Sequence, residues 1–225
     1  MRRIVFSILL VVFLLSLLCG CSGLGKKCAD ICSPDVKIIS YHVRKHYESI
    51  MLFGKKLYAK NPRYEPDPNM RREKLKAVFG KISTFAIPSS LSLPLSHELL
   101  MLAFSQDPPV RDRVLILILG LKKGIDEAYD TGGGPFLTGC QIDVNRLERL
   151  YNNISQVNWR LKTYKDQKGL PLFLTNEALE SGYINMGFEV IMTRMLTRIQ
   201  DDIYLRGGLE ENLTFRLGAL FLSIL

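Results

Sequence analysis

The chain has 225 residues, 30 of them Lys or Arg against 22 Asp or Glu, giving a formal net charge of +8. The excess is uneven: residues 22–81 carry 14 basic and 6 acidic side chains, residues 82–225 carry 14 and 16. Such a charge invites a nucleic-acid reading, but the export signal described next removes the protein from that partner.

Arg2 and Arg3 precede residues 4–18, which are apolar except for Ser7 and Ser16. In charge and length this is a cleaved secretory signal, too short for a comfortable transmembrane span. It ends in Leu18-Cys19-Gly20-Cys21. Lipoprotein signal peptidase needs a small residue before the cysteine that has received diacylglycerol; Gly20 meets this for Cys21, and Leu18 fails it for Cys19. The segment resembles the lipobox of bacterial lipoproteins, which implies removal of residues 1–20 and lipidation of Cys21. The rival readings are an uncleaved anchor helix and an ordinary secretory signal. Cleavage leaves 205 residues with a charge of +6, enough for one domain with a substantial core. One acyl chain binds membranes marginally, at about 0.8 kcal/mol per buried methylene, so the two or three chains of a lipoprotein, palmitate among them, give a stable anchor. Ser22, where the enteric rule uses Asp to retain a lipoprotein at the inner membrane, implies the outer membrane, facing the periplasm.

Residues 21–34 form a lipidated tether. With Cys21 acylated, Cys28, Cys32 and Cys140 remain in an oxidising compartment, which predicts one disulfide and one leftover thiol. Spacing leaves the pairing open. Residues 35–225 are expected to form the helical domain, with 35–81 as a basic, membrane-proximal arm that gains from anionic headgroups. Solvated helix faces are the plainer account of the same charges.

Ser33-Pro34-Asp35 is a helix start: a capping hydroxyl, proline at the first position and an acid in the first turn. Ile39, Val43, Tyr47, Ile50, Gly54 and Leu57 follow at three- and four-residue spacing, so one face is apolar to about Tyr58. Asn61-Pro62 and the following prolines break it. A basic helix is expected near 70–79 and another helix over 96–105. The strongest element is expected to begin at Asp107-Pro108. Val114 to Leu121 is all apolar, far short of a span, and reads as a buried central helix that Gly132-Gly133-Gly134-Pro135 ends. A helix near 144–164 turns Leu147, Leu150, Tyr151, Ile154, Val157 and Leu161 inward and stops at Gly169. Another runs near 186–205, and the apolar tail 213–225 is read as a last packed helix. No strand pattern is strong. The expected fold is all-α, a single irregular bundle of about five to seven helices.

The runs Lys56-Leu57-Tyr58-Ala59-Lys60-Asn61-Pro62 and Asp112-Arg113-Val114 with Gly120-Leu121 carry a resemblance. So do Tyr151-Asn152-Asn153, Trp159-Arg160-Leu161 and the stretch from Gly169-Leu170-Pro171 to Asn176. Together they resemble a group of uncharacterised proteobacterial lipoproteins, in which a glycine would stand at Arg111. The resemblance implies an envelope location and a helical fold, and no activity.

Cys28, Cys32, His42 and His46 combine two thiols with two imidazoles one helical turn apart, a set zinc could bridge. The loop between the pairs is shorter than in zinc fingers and the compartment favours a disulfide, so a metal is not the favoured reading. Asp130-Thr131-Gly132 matches the core of aspartic proteases, which need two such carboxylates; one copy at a helix end reads as a stop and turn. Asp126, Glu127, Asp130, Asp201 and Asp202 read as solvated charge, and His97 has no evident nucleophile beside it. No nucleophile elbow or phosphate loop occurs, so no catalytic residue and no cofactor is assigned. The expectation is a non-enzymatic envelope lipoprotein that binds a protein partner or assists assembly. Its rivals are a carrier of an apolar ligand or lipid held between helices, and an envelope hydrolase.

Overall fold

A computed structural model of the chain describes residues 34–132, 142–175 and 186–206. These residues are all-α, in seven helices: α1 (Pro34–Lys60), α2 (Pro68–Val78), α3 (Ser89–Ser92), α4 (Ser96–Ala103), α5 (Arg113–Tyr129), α6 (Val144–Thr163) and α7 (Gly187–Tyr204). The signal segment, the tether, Cys21, Cys28, Cys32, Cys140 and the tail 213–225 lie outside the described residues. Among the described helices, none is long and apolar enough to cross a membrane.

A helix that is apolar all round must be covered on every side. Every residue from Arg113 to Leu121 is buried, as are Gly124, Ile125, Ala128 and Tyr129. Helices α1, α2, α4 and α6 pack around α5, and α7 closes over α6 and α1. Two glycines permit the closest crossings. A β-carbon on Gly120 would lie 2.9 Å from Leu100 Cδ2 and 3.1 Å from Leu99 Cβ, so α4 rests almost on the backbone of α5. One on Gly54 would lie 2.8 Å from Leu75 Cδ2 where α1, α2 and α5 meet. The basic segment 35–81 is therefore no detached arm: α1 and α2 line the same core as the rest.

One boundary and one stop signal differ from the sequence reading. Helix α5 starts at Arg113, not at Asp107-Pro108. Pro108 and Pro109 stand side by side, and a residue before proline is pushed out of helical backbone. Asp112 is the effective cap, its Oδ1 accepting from the Leu115 amide at 3.0 Å. Arg113 then reaches back to the carbonyls of Ala103 at 3.0 Å and Gln106 at 3.1 Å, tying down the α4–α5 connection. Helix α6 ends at Thr163, one residue short of the expected Tyr164, but Gly169 lies too far along the chain to be its stop. Tyr164 is extended, its ring edge-on to Phe104 and Trp159. Gly169, at φ +77°, serves instead the tight turn that brings the Leu172 amide to the Tyr164 carbonyl at 3.0 Å. Helix α5 ends at Tyr129, ahead of the glycine run, with Asp130 in the left-handed region at φ 48°. That agrees with Asp130-Thr131-Gly132 as a helix stop.

Candidate functional site

Buried polar side chains cluster at both ends of α5. At its start, Asp112 Oδ2 accepts from Lys74 Nζ at 2.8 Å and from the Tyr58 hydroxyl at 2.9 Å. Lys74 also donates to Glu65 Oε2 at 2.6 Å. Burial disfavours the charge on Lys74, but its bonds to Asp112 and Glu65 outweigh that and raise its pKa above the ordinary lysine value. Burial likewise opposes ionisation of Glu65, yet Lys74 leaves that carboxyl below the usual glutamate value. Burial first, then the charge of Asp112, pushes the Tyr58 phenol up, so it stays a donor.

At the far end, the Tyr129 hydroxyl donates to Asp202 Oδ2 at 2.6 Å and lies 3.4 Å from His46 Nε2. His42 Nδ1 lies 3.0 Å from Asp202 Oδ1, but the pair is badly angled and neither atom makes a hydrogen bond. Arg206 stands 3.5 Å from the same oxygen. Burial, reinforced by Arg198, lowers the His46 pKa to about 3, so this ring is neutral at physiological pH. Burial and then Asp202 hold the Tyr129 phenol well above its ordinary value.

Asp202 is thus not solvated charge. It is fully buried, because its place on α7 shares the inward face with Met195 and Ile199, while neighbouring Asp201 faces out. Asp126 and Glu127 also have partners: Tyr47 donates to Asp126 at 2.5 Å, and the Ser96 amide donates to Glu127 at 3.0 Å. His42 and His46 point together, one turn apart, at Asp202 and Tyr129. Their proposed zinc partners Cys28 and Cys32 are outside the described residues, among which no group of His, Cys, Asp and Glu is placed to hold a metal. The cluster joins α1, α5 and α7: Asp202 and His46 are wholly enclosed, and His42 and Arg206 lie beside them.

A cleft of about 430 Å³ opens between α4, α5 and α6, lined by Ser96, His97, Glu127, Arg146, Arg149 and Asn153. Its serine is no free nucleophile. Ser96 is buried, and both its amide and its hydroxyl donate to Glu127. The carboxylate fills the place at the start of α4 where an outside anion would sit. His97, though adjacent in sequence, is exposed at the rim.

A second hollow, about 330 Å³, has largely apolar walls from Pro62, Leu170, Pro171 and Leu174, with Lys60 and Arg63 at its edge. It is open to solvent on one side. Asn61, read from sequence only as a helix breaker, builds it: its amide donates to the Leu174 carbonyl at 2.9 Å and accepts from the Leu174 amide at 2.7 Å. Arg63 adds bonds to the Pro171 and Leu172 carbonyls, both 2.6 Å. No local sequence pattern marks this pairing, because its partners lie 113 residues apart. No family model matches the chain, and no curated protein or solved structure shows significant similarity to it.

Proposed function

We propose that this chain is a lipid-anchored protein of the bacterial cell envelope that acts by binding a protein partner or assisting assembly, not by catalysis. The observation that carries the anchor is the N-terminal sequence: Arg2-Arg3, the apolar run 4–18 and Gly20 before Cys21. Two or three acyl chains hold such a protein at the bilayer, and Ser22 favours the periplasmic face of the outer membrane. The non-catalytic part is supported by where the reactive residue types lie. Among the described residues, Ser96, Asp112, His46 and Asp202 are buried in contacts between helices, and the hydroxyl of Ser96, which lies at the cleft, is held by Glu127. Metabolic labelling with a palmitate analogue tests the anchor. The wild-type chain is expected to take up label and fractionate with membranes, whereas Cys21→Ala stays unlabelled and stalls at precursor size. A wild-type chain without label, or a Cys21→Ala variant of unchanged size and fractionation, overturns it. In-cell crosslinking of the lipidated protein tests the binding role, which fails if no partner recurs.

The carrier reading keeps one observation in its favour. The hollow beside Leu170 and Leu174 reaches the ~300 Å³ scale of small-molecule sites and is walled by apolar groups. Binding of a fluorescent fatty acid that Leu170→Asp abolishes would move the assignment there; absence of binding removes it.

A further inference from the structure

Helix α1 has two faces, and among the described residues only one is packed against other helices. Its inner face, with Ile39, Ile50, Phe53 and Leu57, lies in the core. On the opposite side, Ile38, Tyr41, Lys45, Glu48, Leu52 and Lys55 recur at alternating three- and four-residue spacing, a single straight stripe. Three of these are large apolar or aromatic residues left open to solvent: Ile38 at 42%, Tyr41 at 46% and Leu52 at 45% exposure. Arg44 flanks the stripe on one side and Lys56 on the other. Along this face α1 itself places the cations Arg44, Lys45, Lys55 and Lys56 and the acid Glu48, which Lys45 pairs at 2.7 Å. Arg44 and Lys45 sit 5.5 and 5.6 Å from the Tyr41 ring centre, so the aromatic and the charges form one patch.

We propose that this outer face of α1 lies on the anionic phospholipid surface of the bilayer that holds the Cys21 lipid. The chemistry matches: basic side chains attract anionic headgroups, and an amphipathic tyrosine with two aliphatic residues suits the headgroup boundary. Chain length permits it. The thirteen peptide steps from Cys21 to Pro34 span at most about 45 Å extended, and the 27-residue α1 is about 40 Å long. The anchor and the whole face can therefore reach one bilayer together, and tethering raises the effective concentration of the face at the lipid. A protein partner of α1 would need acidic groups against the same cations, and it is an outcome the test separates.

The proposal rests on the lipoprotein reading for its bilayer, and the experiment keeps the two apart. The intact purified chain is mixed with vesicles of phosphatidylcholine alone or with phosphatidylglycerol added, then floated and labelled with an amine-reactive probe. Labelling of Lys45, Lys55 and Lys56 is expected to fall roughly fivefold on the anionic vesicles only, and to recover in about 0.5 M salt, where screening shortens to a few ångströms. Lys165 and Lys168, exposed in the connection after α6 and outside the stripe, should label equally throughout. The variant Lys45→Glu, Lys55→Glu, Lys56→Glu, altered only on the outward face, should lose this lipid preference with an unchanged helical spectrum. Equal labelling on both vesicles overturns the proposal. So does protection already present without lipid, which would make the face a contact between protein chains. Failure of the anchor reading looks different: the chain no longer floats with neutral vesicles, yet salt-sensitive protection on anionic ones persists and upholds the face.

Discussion

At the start of α5, Asp112 meets partners that match it in charge and geometry, whereas at its end Asp202 meets neighbours that match it only in part. Lys74 supplies a formal cation between Asp112 and Glu65, Tyr58 supplies a neutral donor, and the remaining oxygen of Asp112 caps the helix. Asp202 has one good bond, from Tyr129; its other oxygen faces a misaligned imidazole and a distant guanidinium. His46, beside it, is kept neutral, and its Nδ1 has no hydrogen-bond partner. A buried charge is tolerated when every lone pair is answered, and removal of a partner then costs more than the pair itself contributes. The N-terminal cluster is therefore a lock that breaks when one member is removed. The C-terminal cluster is a lock that pH can loosen.

The largest effect is expected at Asp112. Asp112→Ala removes the cap of α5 and leaves Lys74 and Tyr58 short of an acceptor, a loss of about 3–5 kcal/mol in urea denaturation. Asp112→Asn, which retains an acceptor for the cap, should lose less. A loss below about 1 kcal/mol for the alanine variant would show that water replaces the carboxylate and that the two ends do not differ. Acidification is next. Unfolded His46 takes up a proton near 6.5, while the folded ring resists until about 3, so its stabilisation is complete above 6.5 and is lost as pH falls through that window. The slope is at most about 1.4 kcal/mol per pH unit. Glu65, held below its ordinary value, adds to acid sensitivity only in the carboxylate range, so the upper part of the window reports on His46. Urea midpoints between pH 7 and 5 should therefore fall for the wild type and flatten for His46→Gln; equal slopes would refute the assignment.

Tyr129→Phe isolates the one good bond of the second cluster. It should cost about 1–3 kcal/mol, by leaving Asp202 Oδ2 without a donor. Double substitution with Asp202→Asn should recover part of that loss if the unanswered charge is its cause. The smallest effect belongs to the neighbour one step along α7. Asp201→Asn, on the exposed side, is expected within about 0.5 kcal/mol of the wild type. A larger change would mean that the outward face of α7 is engaged by something else.

Periodicity carried much of the architecture. The inward residues of α6, from Leu147 to Leu161, and the enclosed run of α5 from Val114 to Leu121 follow from apolar spacing alone, since a helix side that cannot face water must face another helix. The same local logic misjudged Asp202, and it gave no sign that Lys74 would be buried. On composition they are surface charges, and only a partner far along the chain makes burial tolerable: Tyr129 is 73 residues from Asp202, and Asp112 is 38 from Lys74. Asn61 is the plainest case. Its sequence context says that a helix ends, and nothing within one turn of it foretells that its amide will clasp Leu174, 113 residues away.

What the sequence determined by itself is the all-helical pattern and the central position of α5, because each depends on neighbours within a few residues. The tertiary structure alone decided which charges are buried, where α5 begins and which side of α1 the other described helices leave open. Those depend on contacts between distant segments, and the cost of enclosing a charge is set by the partners that packing brings to it. The basic residues of the first 81 illustrate the division. Their number was legible from the start; that Lys74 is sealed inside while Lys45, Lys55 and Lys56 line the outward side of α1 was settled by the packing of α1 and α2 onto the core.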